Sequence, residues 1–295
     1  MVAGALGRPG DRQNVTTEWV RATAADVVET VQGDRATWQV WHLRAEAQRR
    51  ARTAGIPLHE VETAVERVVE QAIKAHCIAF TDPDPLTAAG VSPTALTRAD
   101  GVSVYTVHGS KLYTSAAIID AERRLLATAQ RSGGRRITDV RVGITLAETA
   151  ANATTLNAAQ AAMVRELATS GARLQLTLAP AGTGKTTAME VLARAWRDSG
   201  GTVTGLAPSA VAAQELRHAV GGTCETLSKL VWSLDSTHET PGWVSAIGPG
   251  SLVIIDEAGM ASTTELAAAV DFITARGGSV RPTNSDRITE KYDCG

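Results

Sequence analysis

The stretch Ala179-Pro180-Ala181-Gly182-Thr183-Gly184-Lys185-Thr186-Thr187 decides the fold of this chain. It follows the alternating, β-rich residues 174–178 and precedes residues 188–196, whose composition is helical. Glycines in a loop between a strand and a helix let backbone N–H groups turn inward around phosphates, and the helix N-terminus adds partial positive charge. We therefore predict a phosphate-binding loop, in which Lys185 reaches the β- and γ-phosphates and the Thr186 hydroxyl ligates Mg²⁺.

One position of the loop departs from the usual phosphate-loop pattern. Ala179 stands where the pattern begins with glycine, but Gly182 and Gly184, which lie nearest the phosphates, are present. The cofactor-binding residues that we assign here are Ala181, Gly182, Thr183, Gly184, Lys185, Thr186 and Thr187. The alternative is a glycine-containing turn that carries Lys-Thr by chance, and a second motif at a suitable distance downstream argues against it.

That second motif is Ser251-Leu252-Val253-Ile254-Ile255-Asp256-Glu257-Ala258. Its apolar run favours a strand buried on both faces of a parallel sheet, and ligands of open α/β sheets bind at the carboxyl ends of strands. We predict that Asp256 holds the Mg²⁺ shell and that Glu257 orients or deprotonates the attacking water, which makes Lys185 and Glu257 the catalytic residues. An apolar strand ending in Asp-Glu is common alone, so this prediction depends on its pairing with the loop.

Composition sets wide bounds on function. The chain has 295 residues, of which 44% are hydrophobic and 20% charged, as in a soluble globular protein with room for two domains. Its net charge of −2 provides no basic coat for nucleic acid, although a local groove could still be positive. The three scattered cysteines indicate a reducing compartment and no structural zinc. No apolar run reaches the roughly 18 residues of a membrane span, so we predict a cytoplasmic protein without membrane contact.

The chain before the loop is predicted to be mainly helical. Residues 1–14 are rich in glycine and predict a disordered lead-in, and residues 15–150 an accessory domain. Within that domain we predict helices over residues 17–52, after Pro57 and over 115–130, strands over 102–107 and 137–145, and a hinge near 148–154. Trp38 and Trp41, three residues apart, are placed on one helix face, where core packing is favoured over a base-stacking platform.

Residues 155–281 alternate between helix and strand, which predicts a parallel sheet with helices on both faces. The predicted elements are a helix over 156–170, the strand before the loop and the helix after it, a strand over 202–206, a helix over 211–220, the strand that carries Asp256, a helix over 263–275 and a strand from about 279. The pattern fails after that strand. Residues 282–295 are therefore predicted to be a divergent, disordered tail.

With these residues placed, the chain resembles the superfamily 1 DNA helicases of the RecD-like branch, and most closely the helicase portion of conjugative relaxases of the TrwC/TraI type. Leu156-Asn157-Ala158-Ala159-Gln160 resembles their Q motif, whose glutamine recognises the adenine edge, so the resemblance gives Gln160 that role. It implies a RecA-like P-loop ATPase domain over 155–281, behind a mainly helical N-terminal domain. It also implies ATP and Mg²⁺ as cofactors.

The resemblance extends to segments that contact DNA or connect domains. Residues 207–216 resemble motif Ia, which touches the backbone of single-stranded DNA, with Pro208 and Ser209 as the candidate contacts. Residues 223–230 resemble the following threonine-containing segment, in which Thr226 is a further candidate. Residues 35–42, 104–106 and 113–123 resemble the region between nicking and motor domains. Single-stranded DNA and other conjugative transfer proteins are therefore the expected partners.

Two departures from the family limit the expected activity. The cluster of three histidines and the nucleophilic tyrosine of the nicking domain have no counterpart, so nicking is not predicted. Where the family continues into a Gly-Asp-x-x-Gln motif and a second RecA-like domain, this chain has Pro282-Thr283-Asn284-Ser285 instead, as in a truncated or frameshifted helicase. In such motors the second domain supplies an arginine worth about 10³ to 10⁵ in rate, so we expect nucleotide binding with little or no turnover.

Two alternatives stay open. One is a non-catalytic module that binds single-stranded DNA or a partner protein through its N-terminal half, with the ATPase fold as scaffold. The other is a complete ATPase that takes its arginine from a neighbouring subunit.

Overall fold

The computed structural model describes residues 14–80, 111–152, 155–180, 182–235, 237 and 239–285. Contacts between Cα atoms divide the chain into two units, Met1–Asp120 and Ala121–Gly295. The strand predicted over 102–107, nearly all of the glycine-rich lead-in and the tail beyond Ser285 lie outside the described residues. Within the described part, no helix combines the length and the apolar character that crossing a membrane requires.

The first unit is built on three helices, α1 (Thr17–Asp34), α2 (Val40–Thr53) and α3 (Leu58–His76). A short antiparallel pair, β1 (Ile78–Phe80) and β2 (Leu112–Thr114), follows them. Apolar side chains at helical spacing form one core, which includes Val20, Val27, Val31, Leu43, Val61, Val65, Val68 and Ala72. The helix predicted after Pro57 is thus confirmed, since its stripe of valines is the part of α3 that is buried.

The segment predicted to be helical over 17–52 forms two helices, because the chain leaves the helical conformation between α1 and α2. Trp38 lies in this break and exchanges two backbone hydrogen bonds with Tyr113, at 2.8 and 2.7 Å. The Trp38 side chain is fully buried, whereas Trp41 is 58% exposed and stacks on His42. The two tryptophans therefore do not share a helix face, and core packing is confirmed for Trp38 alone. Trp38 and Tyr113 are 75 positions apart, so local periodicity does not predict that they pair.

Contacts place residues 121–152 in the second unit, while the domain boundary near residue 150 stays a prediction. The helix α4 (Ala116–Ala129) agrees with its prediction, but the strand predicted over 137–145 is wrong. A helix, α5 (Asp139–Ala151), occupies most of that segment and most of the predicted hinge, and the Thr138 side chain caps its start. The buried residues of α5 are Val142, Thr145 and Thr149, spaced at three and four. Burial at helical spacing overrides the β-propensity of these branched side chains.

The rest of the second unit alternates between helices and strands. In chain order it contains α6 (Ala158–Thr169), β3 (Thr177–Ala179), α7 (Lys185–Asp198), β4 (Thr202–Ala207), α8 (Ala210–Val220), β5 (Thr223–Thr226), α9 (Leu227–Trp232), α10 (Gly242–Ser245), β6 (Ser251–Ile255), α11 (Thr263–Ala275) and β7 (Ser279–Ser285). The five strands form one parallel sheet in the order β3-β7-β6-β4-β5. This is the predicted α/β class with a parallel sheet.

Strand β6 shows how the sheet is covered on both faces. Leu252 and Ile254 pack into one core with side chains of α7 and α8, among them Leu192, Trp196 and Leu216. Val253 and Ile255 pack into a second core with side chains of α9 and α11, among them Leu227, Leu230, Val270 and Ile273. Alternate residues of one strand thus enter opposite cores, as the continuous apolar run predicts.

Strand β7 runs further than predicted and lies inside the sheet. Pro282 pairs with Ile255 of β6, while Thr283, Asn284 and Ser285 pair with Thr177–Ala179 of β3. The prediction that the tail begins at residue 282 is therefore wrong for residues 282–285. The weak strand signal of Pro282, Asn284 and Ser285 is overridden because β6 pairs with residue 282 and β3 pairs with residues 283–285.

Candidate nucleotide-binding site

The predicted site residues converge because the strands are parallel. The carboxyl ends of parallel strands meet at one edge of the sheet, which is the edge where α/β proteins bind ligands. The phosphate loop leaves β3 at this edge, and Asp256 follows the last residue of β6. Only β7 lies between those two strands. Neighbouring strands of a sheet lie roughly 4.8 Å apart, so the ends of β3 and β6 are about 10 Å apart across the sheet.

The loop has the backbone that phosphate binding needs. Gly182 and Gly184 adopt φ values of +77° and +75°, in the region that favours glycine. The Thr183 hydroxyl donates to the Pro180 carbonyl at 2.7 Å, which folds the loop back on itself. Gly184 is the N-cap residue of the 14-residue helix α7, so Lys185 and Thr186 occupy its first turn. Thr187 follows in that turn, whereas Ala181 lies outside the described residues.

Gln160 lies against the phosphate loop, as the resemblance to the Q motif implies. Its amide nitrogen donates to the Thr183 carbonyl at 2.8 Å. Its amide oxygen accepts from the Asn157 N–H at 2.8 Å, and the Asn157 side chain accepts from the Gln160 N–H at 2.9 Å. The reciprocal cap fixes the start of α6, and the bond to Thr183 ties that helix end to the loop. The amide keeps one donor and one acceptor position for a ligand.

The close approach of Gln160 predicts the effect of Gly184→Ala. A Cβ at Gly184 would lie 2.2 Å from the Gln160 amide nitrogen, and the φ of +75° disfavours any side chain. Since the Gln160 side chain must move away and the left-handed backbone is strained, we expect nucleotide affinity to fall about tenfold, at the roughly 1–2 kcal/mol that a left-handed non-glycine residue costs. Titration with a fluorescent ATP analogue measures this.

Gly133→Ala is the matched control. Gly133 has φ of +94°, but nothing lies within 4 Å of a Cβ there. It should lower thermal stability by a similar backbone cost and leave affinity unchanged. Equal affinity in Gly184→Ala and wild type would contradict a binding role for this loop.

The carboxylate after β6 is held by two donors. Asp256 Oδ1 accepts from the Glu257 N–H at 3.0 Å and from the Thr283 hydroxyl at 2.5 Å. Glu257 has φ of +48°, the one positive φ of a residue other than glycine in the described part of the chain. Such backbone strain is concentrated at functional sites, where the surrounding structure enforces it. Sequence reasoning missed Thr283 because it assigned residue 282 onward to the tail.

A cleft of about 480 Å³ lies beside the loop, between α6 and β3. Its lining includes Asn157, Gln160, Met163, Thr177, Thr183 and Lys185. The Thr177 hydroxyl is buried and has no hydrogen-bond partner within the described residues. An ammonium group, a helix N-terminus, hydroxyls and a carboxylate are the groups that a nucleoside triphosphate with Mg²⁺ requires, and the site therefore fits that ligand.

The three predicted DNA contacts lie together at the same edge of the sheet. Pro208 and Ser209 follow β4, and Thr226 ends β5, where it pairs with Ala207. The Ser209 hydroxyl accepts from the Ala212 N–H at 3.2 Å, and the Thr226 hydroxyl accepts from the Lys229 N–H at 3.1 Å. Both side chains therefore cap helices, α8 and α9.

Comparison with known families matches residues 155–283 to the family model described as AAA domain. The match begins before Gln160 and ends at Thr283, so it includes the loop and both carboxylates. This segment is therefore similar to AAA domains. Its α/β sheet and strand–loop–helix give it the RecA-like P-loop fold that the sequence predicts, and AAA-type P-loop domains generally bind nucleotide with Mg²⁺. The comparison with curated proteins finds no match to the chain.

Proposed function

We propose that this chain binds ATP with Mg²⁺ through the P-loop domain of a DNA helicase of the conjugative relaxase type, with little or no turnover by itself. The observation that carries the proposal is the meeting of the phosphate loop, Gln160 and Asp256 at the carboxyl edge of one parallel sheet. A glycine turn unrelated to phosphate binding would not be expected to lie at the same edge as the carboxylate that follows a buried strand.

Each residue of the site has a role in this proposal. The loop N–H groups around Gly182 and Gly184 cradle the phosphates, and Lys185 neutralises the β- and γ-phosphates. Thr186 and Asp256 would hold Mg²⁺, which when bound offsets the charge of the phosphate oxygens. Glu257 would orient the attacking water. Gln160 would contact the adenine edge while its other bonds keep the loop against α6.

Single-stranded DNA is the proposed macromolecular partner, and other conjugative transfer proteins are further proposed partners. The hydroxyl oxygens of Ser209 and Thr226 accept the helix-cap hydrogen bonds, so their hydrogens remain available to donate to phosphate oxygens of DNA. Their position beside the nucleotide edge would let nucleotide and DNA influence one another. A cytoplasmic location is part of the same proposal.

Low turnover follows from what the P-loop domain itself offers. Phosphoryl-transfer enzymes gain about 10³ to 10⁵ in rate from an arginine on the transferred phosphate. Arg281 of β7 is two residues from Thr283, but it is fully buried and donates to the carbonyls of Leu167 and Ala172. It is therefore committed to structure. The site offers a base and metal ligands, and Arg281 does not add this neutralisation to them.

The test combines titration of a fluorescent ATP analogue with ATP hydrolysis, each with and without single-stranded DNA. We expect Mg²⁺-dependent binding, and hydrolysis close to the uncatalysed background that DNA does not raise. DNA-stimulated turnover would contradict the prediction of low activity and lead to a search for self-assembly. Absence of nucleotide binding would overturn the proposed function.

A further inference from the structure

We propose that Thr283 is a positioning residue for Asp256, and that its hydroxyl fixes one carboxylate oxygen so that the other is presented to Mg²⁺. This inference rests on the proposed function and concerns the same site. It assigns a role to a residue in the segment where the sequence departs from the resembling helicases.

The strand register brings the two side chains together. Ile255 of β6 pairs with Pro282 of β7, so Asp256 and Thr283 are the next residues along two adjacent parallel strands. Thr283 is 1% exposed, and its hydroxyl donates to Asp256 Oδ1 at 2.5 Å. A short bond between a hydroxyl and a carboxylate is the strong kind of hydrogen bond. Because threonine is branched at Cβ and packed in a strand, few rotamers are open to the donor.

The two oxygens of the carboxylate are used differently. Oδ1 accepts both the Thr283 hydroxyl and the Glu257 N–H, which occupies its two lone pairs. Oδ2 makes no hydrogen bond to any residue that the structure describes, and it is the oxygen left for the metal shell. Without the Thr283 bond, the carboxylate could turn about its terminal torsion, and that freedom would have to be lost on metal binding.

The end of β7 also supports the turn that follows Asp256. A Cβ at Gly259 would lie 2.5 Å from the Asn284 amide nitrogen, so that turn packs directly on β7. The Glu257 N–H that bonds Oδ1 comes from the residue held at φ of +48°. Thr283 therefore acts on a carboxylate whose backbone is already fixed, and its remaining effect is on the orientation of the side chain.

The experiment measures the Mg²⁺ concentration at which binding of a fluorescent ATP analogue is half enhanced, and separately the affinity in EDTA. Thr283→Val keeps the shape and removes the donor. We expect it to raise the Mg²⁺ midpoint about tenfold, as for loss of a hydrogen bond to a charged group, and to leave the EDTA affinity unchanged. Thr283→Ser keeps the donor and should restore most of the wild-type midpoint.

Thr204→Val is the matched control, since Thr204 is also a buried strand threonine of this sheet. It should bind Mg²⁺ and nucleotide as the wild type does. A wild-type midpoint in Thr283→Val, or an equal shift in Thr283→Ser, would overturn the positioning role while nucleotide binding still supports the proposed function. Loss of affinity in EDTA would show that Thr283 merely maintains the fold. A wild-type chain that binds no nucleotide would instead refute the function itself.

Discussion

Lys185→Ala is expected to abolish measurable ATP binding, a loss of at least about 100-fold in affinity. Lys185 begins α7, directly after the N-cap residue Gly184, so its ammonium group belongs to the loop that would surround the phosphates. Hydrogen bonds to charged groups contribute about 1.5–3 kcal/mol each, and a lysine that reaches two phosphates makes more than one. Titration of a fluorescent ATP analogue measures the loss.

Lys229→Ala is the control for charge alone. Lys229 is on α9 and forms an exposed ion pair with Glu225 at 3.0 Å, which contributes little to stability. The variant removes the same charge from the same unit and should bind ATP normally. If Lys185→Ala kept wild-type affinity, the assignment of the phosphate loop would be wrong, even though the fold itself would be unaffected. A normal circular dichroism melt must accompany the binding result.

The sequence predicted the sheet well where the signal is local. Helix α11 has the predicted bounds, Thr263–Ala275, and the structure adds that the Ser262 side chain caps its start. Strand β6 is recognisable from its apolar run alone. The phosphate loop and Asp256 are recognisable because their chemistry requires particular residue types at particular points of a strand. The role of Gln160 was implied only by the resemblance to the Q motif, and the structure adds its hydrogen bonds to Thr183 and Asn157.

What the sequence did not predict depends on contacts between distant segments. The end of β7 is held by pairing with β3, so Thr283 aligns with Thr177, more than a hundred positions earlier. Trp38 lies between two helices and pairs with Tyr113. The segment at 137–145 has branched residues typical of strands, but burial against α6 and α7 selects a helix. Local propensity carries no information about these distant partners, so the sequence of each segment alone does not predict the contacts.

Arg281→Ala is expected to destabilise the second unit by about 3–5 kcal/mol, through a cavity and carbonyls left without donors. Arg281 is fully buried, and it donates twice to the Leu167 carbonyl and once to that of Ala172. Leu167 lies in the last turn of α6, the negative end of the helix dipole. Burial lowers the pKa of Arg281 to about 10, so the guanidinium stays charged at neutral pH and keeps its attraction to that helix end.

Arg276→Ala is the control, which distinguishes the effect of burial on stability from the effect of the number of hydrogen bonds. Arg276 donates to the carbonyls of Ile247 and Ser245 at 2.8 and 2.9 Å, but it is exposed, so water replaces its bonds when it is removed. We expect a cost of about 1 kcal/mol or less for it, against a fall in melting temperature of roughly 10 °C for Arg281→Ala. Equal melting temperatures for the two variants would show that the Arg281 bonds do not hold α6 to β7. If they do hold it, Arg281→Ala should also weaken ATP binding below its melting temperature, because α6 carries Gln160 to the phosphate loop.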